Sequence, residues 1–511
     1  MTGWAGKVGR IRVIGTGVMG RGIVQLAATA GVTVELADVR REAVDEAIGY
    51  VGGMVDKLAA KGKLTGDAQA VKGRLVAVDA PDAPADGVDL VLEAVREDLE
   101  TKRALFGSLE RVCPQDTVFA TNTSSLSVTE IAAGLADPGR LLGLHFFNPV
   151  PLMRLVEVVP GARTHDWLPA EAIELVRSWG HEPVLAKDAP GFLVNHAGRG
   201  LNTEALQILA EALAEPADVD RVARDVLGLK LGPFELLDLT GLDVSHAVLE
   251  SIWSGFHGDP RLRPSWLTRP RVAAGLFGRK NGEGFYTYPD GKQQVAAEPA
   301  APPKPSSPVF TADEHLARAL SAAGVQVVSD AYPDAILLVP LYGESTVDAA
   351  NRAGLPLDRV AGVDPLGGYE RRLTLSVHPG LDPAAGRAAW GALAATGLPV
   401  TVVRDGPAPI AQRLLASIVN TACFIAGQHL ASPQDIDTAV RLGLGYPRGP
   451  LAWGDLVGGD VVLRILHGLA AATGDPRYRP SPWLTERVAL GLPLTTAGTT
   501  PADLRTSVTS E

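Results

Sequence analysis

His145 and Glu157 stand either side of a turn in Gly-Leu-His-Phe-Phe-Asn-Pro-Val-Pro-Leu-Met-Arg-Leu-Val-Glu-Val-Val (143–159), each six residues from Pro151. The segment reads as a strand, a Pro-bracketed turn and a second strand. If the strands fold back on each other, imidazole and carboxylate meet as a cross-strand pair. A carboxylate on one imidazole nitrogen fixes the tautomer and makes the other nitrogen the better base. A core histidine held by a salt bridge would use the same two residues, so the rest of the chain has to decide between the readings.

Arg10-Ile-Arg-Val-Ile-Gly-Thr-Gly-Val-Met-Gly-Arg-Gly-Ile23 sets Gly15, Gly17 and Gly20 in a G-x-G-x-x-G between a strand and an apolar helix. Gly15 allows the tight turn, Gly17 lets the backbone approach a pyrophosphate, and Gly20 lets helix and strand pack closely. Val18 and Met19 then open the helix whose N-terminus meets the phosphates. Asp38 closes the next strand, where a carboxylate accepts from ribose hydroxyls and repels a 2′-phosphate; NAD is therefore the expected cofactor. Arg40 and Arg41 beside it weaken that preference slightly. Glu93 or Glu97, at the end of a later strand, is placed to touch the nicotinamide ribose. Ala120-Thr-Asn-Thr-Ser-Ser-Leu126 gathers hydroxyl and amide groups, Asn122 and Ser124 among them, where either a substrate or plain turn capping would use them. Lys57, Lys61 and Lys63 form a solvated face or hold a phosphorylated substrate tail.

These groups need a scaffold of strands and helices. Short β-type runs at Arg10–Gly15, Val32–Ala37, Arg74–Asp79, Val88–Glu93, Thr117–Thr121, Leu141–Phe147, Arg154–Val159 and Glu182–Ala186 alternate with helical stretches. That alternation predicts a doubly wound, largely parallel sheet over residues 1–190. Residues 191–295 become helical, with Phe192–Leu213 at helical spacing and Asp218 as the expected N-cap of the next helix. A Pro-rich linker follows at 296–308.

Beyond it the pattern repeats. Asp188-Ala-Pro-Gly-Phe-Leu-Val-Asn195 returns as Asp405-Gly-Pro-Ala-Pro-Ile-Ala-Gln412, a shift of 217 residues that also relates Gly232-Pro233 to Gly449-Pro450 and Asp238 to Asp455. This predicts a second helical domain at 405–497, before a polar tail at 498–511. Residues 309–404, with strands expected at Val325–Val328, Ala335–Leu341, Arg372–Val377 and Pro399–Val403, look like a shortened α/β copy. That copy has Tyr342-Gly343 and no G-x-G-x-x-G; approximate alignment puts Ala361 and Ser376 where the first copy has His145 and Glu157. It is expected to lack both an NAD site and the acid–base pair.

The 511 residues carry a formal net charge of −11, which argues against nucleic acid or anionic membrane as the main partner. Cys113 and Cys423 form no metal-ligand or disulfide pattern. Met1–Gly9 lacks the layout of a signal peptide, and no uninterrupted apolar run reaches the roughly 18 residues of a membrane span. A cytoplasmic protein without a metal is the expectation.

Taken together, the motifs closely resemble the L-3-hydroxyacyl-CoA dehydrogenases. Those that carry the resemblance are Gly-Thr-Gly-Val-Met-Gly-Arg-Gly, Thr-Asn-Thr-Ser-Ser-Leu, Gly-Leu-His-Phe-Phe-Asn-Pro-Val, Leu-Val-Glu-Val and Pro-Gly-Phe-Leu-Val-Asn, over roughly residues 8–290. The duplicated helical domain resembles the longer bacterial members, of 3-hydroxybutyryl-CoA and phenylacetate-pathway 3-hydroxyadipyl-CoA type. The resemblance implies a Rossmann-type NAD domain and oxidation of (S)-3-hydroxyacyl-CoA in fatty-acid β-oxidation or phenylacetate catabolism. It gives His145 the role of general base and Glu157 that of its orienting carboxylate. It sets Ser124 at the reacting hydroxyl, Asn148 and Asn195 around the acyl head, Glu97 and Lys102 at the nicotinamide ribose, and Lys61 at the CoA phosphates. It leaves open a homodimer or a pseudo-dimeric monomer, and whether Arg154, Arg199 or basic groups of the second helical domain meet an ω-carboxylate. A dehydrogenase of a non-CoA hydroxy or sugar acid, or an NAD-binding structural protein, are the alternatives.

Overall fold

A computed structural model describes residues 3–501, 503 and 504. The remainder of the expected polar tail, residue 502 and residues 505–511, lies outside the described residues. The chain divides into two compact units: one runs to His196 and takes in His429–Leu444, and the other comprises Ala197–Gln428 and the chain from Gly445 onward.

The first unit is built on an eight-stranded sheet of β1 (Arg10–Ile14), β2 (Thr33–Ala37), β3 (Leu75–Ala77), β4 (Leu90–Glu93), β5 (Val118–Thr121), β6 (Leu141–Phe146), β7 (Leu155–Pro160) and β8 (Glu182–Leu185). Their spatial order is β3-β2-β1-β4-β5-β6-β7-β8. The strands β1 to β6 are parallel, and β7 and β8 run the other way because β7 pairs antiparallel with β6. All eight strands expected from the sequence are present, within two residues at each end. The apolar runs of the strands between the edge strands β3 and β8 are buried, as a sheet covered by helices on both faces requires. The order reverses between β1 and β4, which opens a crevice at the carboxyl ends of those strands. Inside, the Arg12 guanidinium is wholly buried yet satisfied: it pairs with Glu35 on β2 and donates to the carbonyls of Ala83 and Pro84. The helix Pro433–Gly443, a piece of the second helical region by sequence, packs on β7 and β8 within this unit. Gly443 has no room for a Cβ beside Leu155 and Val194.

The second unit carries a six-stranded sheet of β9 (Val309–Thr311), β10 (Val327–Val328), β11 (Ile336–Pro340), β12 (Val360–Val363), β13 (Leu373–Val377) and β14 (Val400–Arg404), in the order β10-β9-β11-β12-β13-β14. Here too one antiparallel pair, β12 with β13, interrupts a parallel sheet. This is the second, partial α/β copy. β9 and β12 were not foreseen: three or four apolar residues with no polar alternation give little to read. The linker before β9 has no regular structure, but Glu298 in it pairs with Arg372.

Two helices related by the shift of 217, Arg199–Ala210 and Ile410–Gly427, pack on each other in this unit. A Cβ on Gly200 would press on the backbone of Ser417 and Ile418, so glycine sets how closely they approach. At their joint lies Arg413, fully buried, with Glu204, Glu211 and the Tyr478 hydroxyl all bonded to its guanidinium. Ile410–Gly427 is also the one described helix long and apolar enough to cross a membrane, and most of it is buried against the protein. The repeated aspartates have repeated jobs: Asp238 accepts from the backbone of Phe285 and Tyr286, and Asp455 from that of Leu494 and Thr495. Asp218 is not an N-cap. The helix starts earlier, at Pro216, whose missing N–H and fixed φ suit a first turn, and Asp218 lies inside it, paired with Arg221.

Candidate active site

In β6 and β7 the residues His145 and Glu157 are direct antiparallel partners. Their side chains therefore emerge on one face, and His145 Nδ1 lies 2.5 Å from Glu157 Oε2. Glu157 is fully buried, and its second oxygen accepts from the backbone N–H of Leu193 (2.9 Å) and Val194 (2.7 Å). These amides open the helix Val194–Ala197, so the carboxylate sits where unpaired N–H groups and the helix dipole favour negative charge. Phe147 and Phe192 flank the imidazole, with ring centroids at 4.5 and 5.9 Å. Nδ1 is committed to Glu157, whereas Nε2 has no hydrogen-bond partner among the described residues. An imidazole held in this way offers one free nitrogen in a fixed orientation.

The loop joining β6 to β7 is fixed by contacts that periodicity does not reveal. A Cβ on Gly22 would strike Val150, so the helix Val18–Thr29 and the loop meet at closest approach there. His181 donates from Nε2 to the Val150 carbonyl at 2.9 Å, and burial pushes its imidazole pKa down. Asn148 precedes a cis proline and is exposed; neither it nor the half-buried Asn195 makes a side-chain hydrogen bond among the described residues. Both amides are thus free to meet a ligand.

The β5 end brings the predicted hydroxyl cluster together around one carboxylate. Glu97 Oε1 accepts from Thr123 Oγ1 (2.7 Å), the backbone N–H of Ser124 and Ser125 (both 2.9 Å) and Ser125 Oγ (2.9 Å). Burial alone would raise its pKa; the Lys102 ammonium and these donors outweigh that and hold it at about 2. Lys102 is buried, with its ammonium between Glu93 (2.5 Å) and Glu97 (3.3 Å). Its reach toward a ribose is therefore indirect, through the Glu97 it positions. Glu93 is fully buried and bonded to Thr121 and Lys102, so of the two candidate carboxylates Glu97 is the accessible one. Asn122 accepts from the Phe146 N–H, tying the β5 loop to the end of β6 one residue beyond His145.

The fingerprint takes the expected shape. Gly15 has φ +90°, and a Cβ on Gly20 would run into the Gly15 carbonyl. A Cβ on Gly17 would meet open space, the room a pyrophosphate needs, and exposed Val18 and half-buried Met19 begin the helix behind it. A cavity of about 620 Å³ lies there, lined by Gly15, Gly17, Asp38, Val39, Pro81 and Leu105 among others. Asp38 accepts from Thr16 N–H at 2.8 Å and from Arg40 N–H at 3.1 Å, which holds its carboxylate at the cavity wall with acceptor capacity to spare. Arg41 is drawn away by Asp79. An apolar slot, an acidic wall and a bare backbone turn fit adenosine, ribose and pyrophosphate. Lys57 and Lys61, near the end of the helix Arg41–Ala60, are exposed and in no ion pair.

The second copy corrects the alignment read from sequence. Asp188 binds Val128 N–H and Thr129 N–H in the first copy, and Asp405 binds Thr346 N–H in the second, which fixes the correspondence. β12 and β13 pair Gly362 with Ser376, and Asp364 N–H donates to the Thr374 carbonyl. The positions matching His145 and Glu157 are therefore Asp364 and Thr374, not Ala361 and Ser376. The connecting loop is two residues shorter than in the first copy. Gln412, in the place of Asn195, spans Asp364, the Leu341 carbonyl and the Gly343 N–H. That half has neither base nor fingerprint.

Comparison with known proteins agrees with this geometry. Residues 10–189 match the NAD-binding domain of 3-hydroxyacyl-CoA dehydrogenase, and its C-terminal domain is matched twice, at 191–288 and 410–500. The chain is 37% identical to the 3-hydroxyadipyl-CoA dehydrogenase of Escherichia coli K12, over 95% of this chain and 98% of that protein. It is 40% identical to a probable 3-hydroxybutyryl-CoA dehydrogenase of Deinococcus radiodurans, over 54% of this chain and 99% of that protein. A crystal structure of 3-hydroxybutyryl-CoA dehydrogenase from E. coli K12 superimposes with a TM-score of 0.84 at 37% identity, covering 94% of this chain and 98% of that one. The chain belongs to the 3-hydroxyacyl-CoA dehydrogenase family, and is an NAD-dependent enzyme of that family with the helical domain present twice.

Proposed function

We propose that His145 is the general base of (S)-3-hydroxyacyl-CoA oxidation, that Glu157 orients it, and that the substrates are short acyl chains, with a terminal carboxylate preferred. The observation that carries the first part is the state of the pair: Nδ1 bound to a carboxylate that two backbone amides hold, and Nε2 free. Bound NAD supplies the hydride acceptor. As hydride departs from C3, His145 Nε2 takes the proton of the 3-hydroxyl, and Glu157 stabilises the imidazolium that forms. In the reverse direction the imidazolium returns that proton to the alkoxide of the 3-ketoacyl thioester. Ser124 holds the reacting oxygen, Asn148 and Asn195 the acyl head, and Lys57 and Lys61 the CoA phosphates. Glu97, positioned by Lys102, and Asn122 face the nicotinamide ribose.

Arg199 supports the terminal carboxylate. It follows Asn195 by four residues in sequence and is almost completely buried, and neither Nε nor Nη1 has a hydrogen-bond partner. Burial pulls its pKa down to about 10, with the Tyr446 hydroxyl the only group opposing the shift. A buried guanidinium without an anion is expensive, and a ligand carboxylate would relieve it. Arg154, the other basic candidate, is exposed. Arg199→Leu should lower kcat/KM for 3-hydroxyadipyl-CoA by tenfold or more and leave 3-hydroxybutyryl-CoA within threefold. Equal losses on both substrates would reject the carboxylate role.

The packing of Arg199–Ala210 on its own repeat, Ile410–Gly427, has the form of a two-fold interface within one chain. We read the protein as a pseudo-dimeric monomer.

A further inference from the structure

The second unit contains a cavity of about 590 Å³ that the reaction does not use. Three segments bound it: the turn Asp225–Gly228, the β12–β13 loop, and the helix Pro450–Val457 with the residues just before it. Two of these are copies of elements with a part in the first half. The β12–β13 loop repeats the β6–β7 loop that carries Asn148, and Pro450–Val457 repeats the helix Pro233–Thr240 under the shift of 217. The reacting position of this copy is filled by Gln412, which bonds Asp364 and the Leu341 carbonyl.

Its lining is specific about chemistry. Leu415, Trp453, Leu456 and Val457 form an apolar wall, and Leu456 is 62% exposed to the cavity mouth and solvent. Three arginines, Arg371, Arg372 and Arg448, share this lining with two carboxylates, Asp225 and Glu370. Arg372 is spoken for: Asp225 and Glu298 bind its guanidinium at 2.7 and 2.8 Å. Arg371 and Arg448 are exposed and take part in no ion pair or hydrogen bond among the described residues. A volume of this size beside two free guanidiniums and an indole suits a ligand with an anionic end and an apolar body.

We propose that this cavity is a second, non-catalytic site for a CoA thioester, with phosphate oxygens on Arg371 and Arg448 and the acyl-pantetheine part along Trp453 and Leu456. That copy has no histidine–glutamate pair and no dinucleotide fingerprint, so the thioester is held and not turned over. The proposal rests on reading the first copy as an acyl-CoA enzyme, and the test separates the two.

Isothermal titration of the full chain with acetoacetyl-CoA, without NADH, counts the sites. Two per chain are expected, falling to one in the double variant Arg371→Ala/Arg448→Ala. Trp453 gives an independent readout: fluorescence quenching by acetoacetyl-CoA should drop by more than half in Trp453→Phe. Parallel titrations with CoA alone and with adipate identify the source of the anion: binding of CoA at the arginine-dependent site supports the proposal, and binding of adipate alone there would overturn the thioester assignment. One site in the wild type, or two in the double variant, overturns the second site. If the protein also fails to oxidise NADH with acetoacetyl-CoA, the reading of the first copy falls as well; turnover with a single site removes only the second.

Discussion

Replacing Glu157 with glutamine isolates the tautomer of His145. The carboxylate now accepts three hydrogen bonds, one from the imidazole and two from Leu193 and Val194. An amide has a single oxygen, so it must choose. With that oxygen on the two backbone N–H groups, its NH₂ points at Nδ1, which can then only accept; the imidazole proton moves to Nε2 and the base is lost. With the oxygen on the imidazole, two buried N–H donors lose their acceptor, at about 1–3 kcal/mol each. The first arrangement is thus favoured by roughly 2–6 kcal/mol, and at 1.4 kcal/mol per factor of ten the productive tautomer falls to between about 1 in 30 and 1 in 10⁴. The analogous Asp→Asn change in serine-protease triads, which likewise leaves the wrong tautomer, costs about 10⁴ in kcat. The assay is NADH absorbance at 340 nm with acetoacetyl-CoA, alongside NADH binding by fluorescence. Glu157→Gln should lose between 30-fold and 10⁴-fold in kcat with NADH affinity within threefold of wild type. Turnover within threefold of wild type in a folded variant would refute the reasoning.

Two further outcomes follow from the second copy. Burial pushes the Asp364 carboxyl up to about 7, against hydrogen bonds from Gln412 and Leu366 that lower it. A folded-state pKa above the usual 3.8 means that the native state holds the proton longer. Asp364 therefore lowers stability progressively as pH rises from about 4 to about 7, by an amount on the order of 4 kcal/mol at most. Asp364→Asn should raise Tm relative to wild type more at pH 8 than at pH 5; a pH-independent difference would remove Asp364 from that dependence. Asp220, also raised to about 7, is unchanged in both proteins and cancels. Sedimentation equilibrium should return the mass of one chain, because the paired helices already lie within it, and a dimer mass at micromolar concentration would contradict the pseudo-dimer.

Much of the first α/β region was legible because its strands are short apolar runs separated by turn signals, and the pairing of His145 with Glu157 follows from a hairpin centred near Pro151. What escaped depends on contacts far apart in sequence. Nothing local says that Leu193 and Val194 will hold Glu157, that Lys102 will be buried between Glu93 and Glu97, or that His181 will anchor Val150. The second dyad position was misplaced because sequence spacing alone does not set the register of β12 against β13, and the paired strands recover the match of Asp364 to His145. The helix at Pro433–Gly443 teaches the same lesson at larger scale, since the repeat in sequence assigns it to one domain and its packing on β7 and β8 to another. The expected N-cap at Asp218 failed on a local competitor, Pro216, which suits a first helical turn better than it suits a loop.

The most direct test of the account compares wild type with His145→Gln in reduction of acetoacetyl-CoA, followed as NADH loss at 340 nm. The wild type should turn over with NADH, and His145→Gln should lose at least 10³-fold in kcat while still binding NADH, because an amide in place of the imidazole offers no basic nitrogen. A His145→Gln protein retaining a tenth or more of wild-type turnover would contradict it.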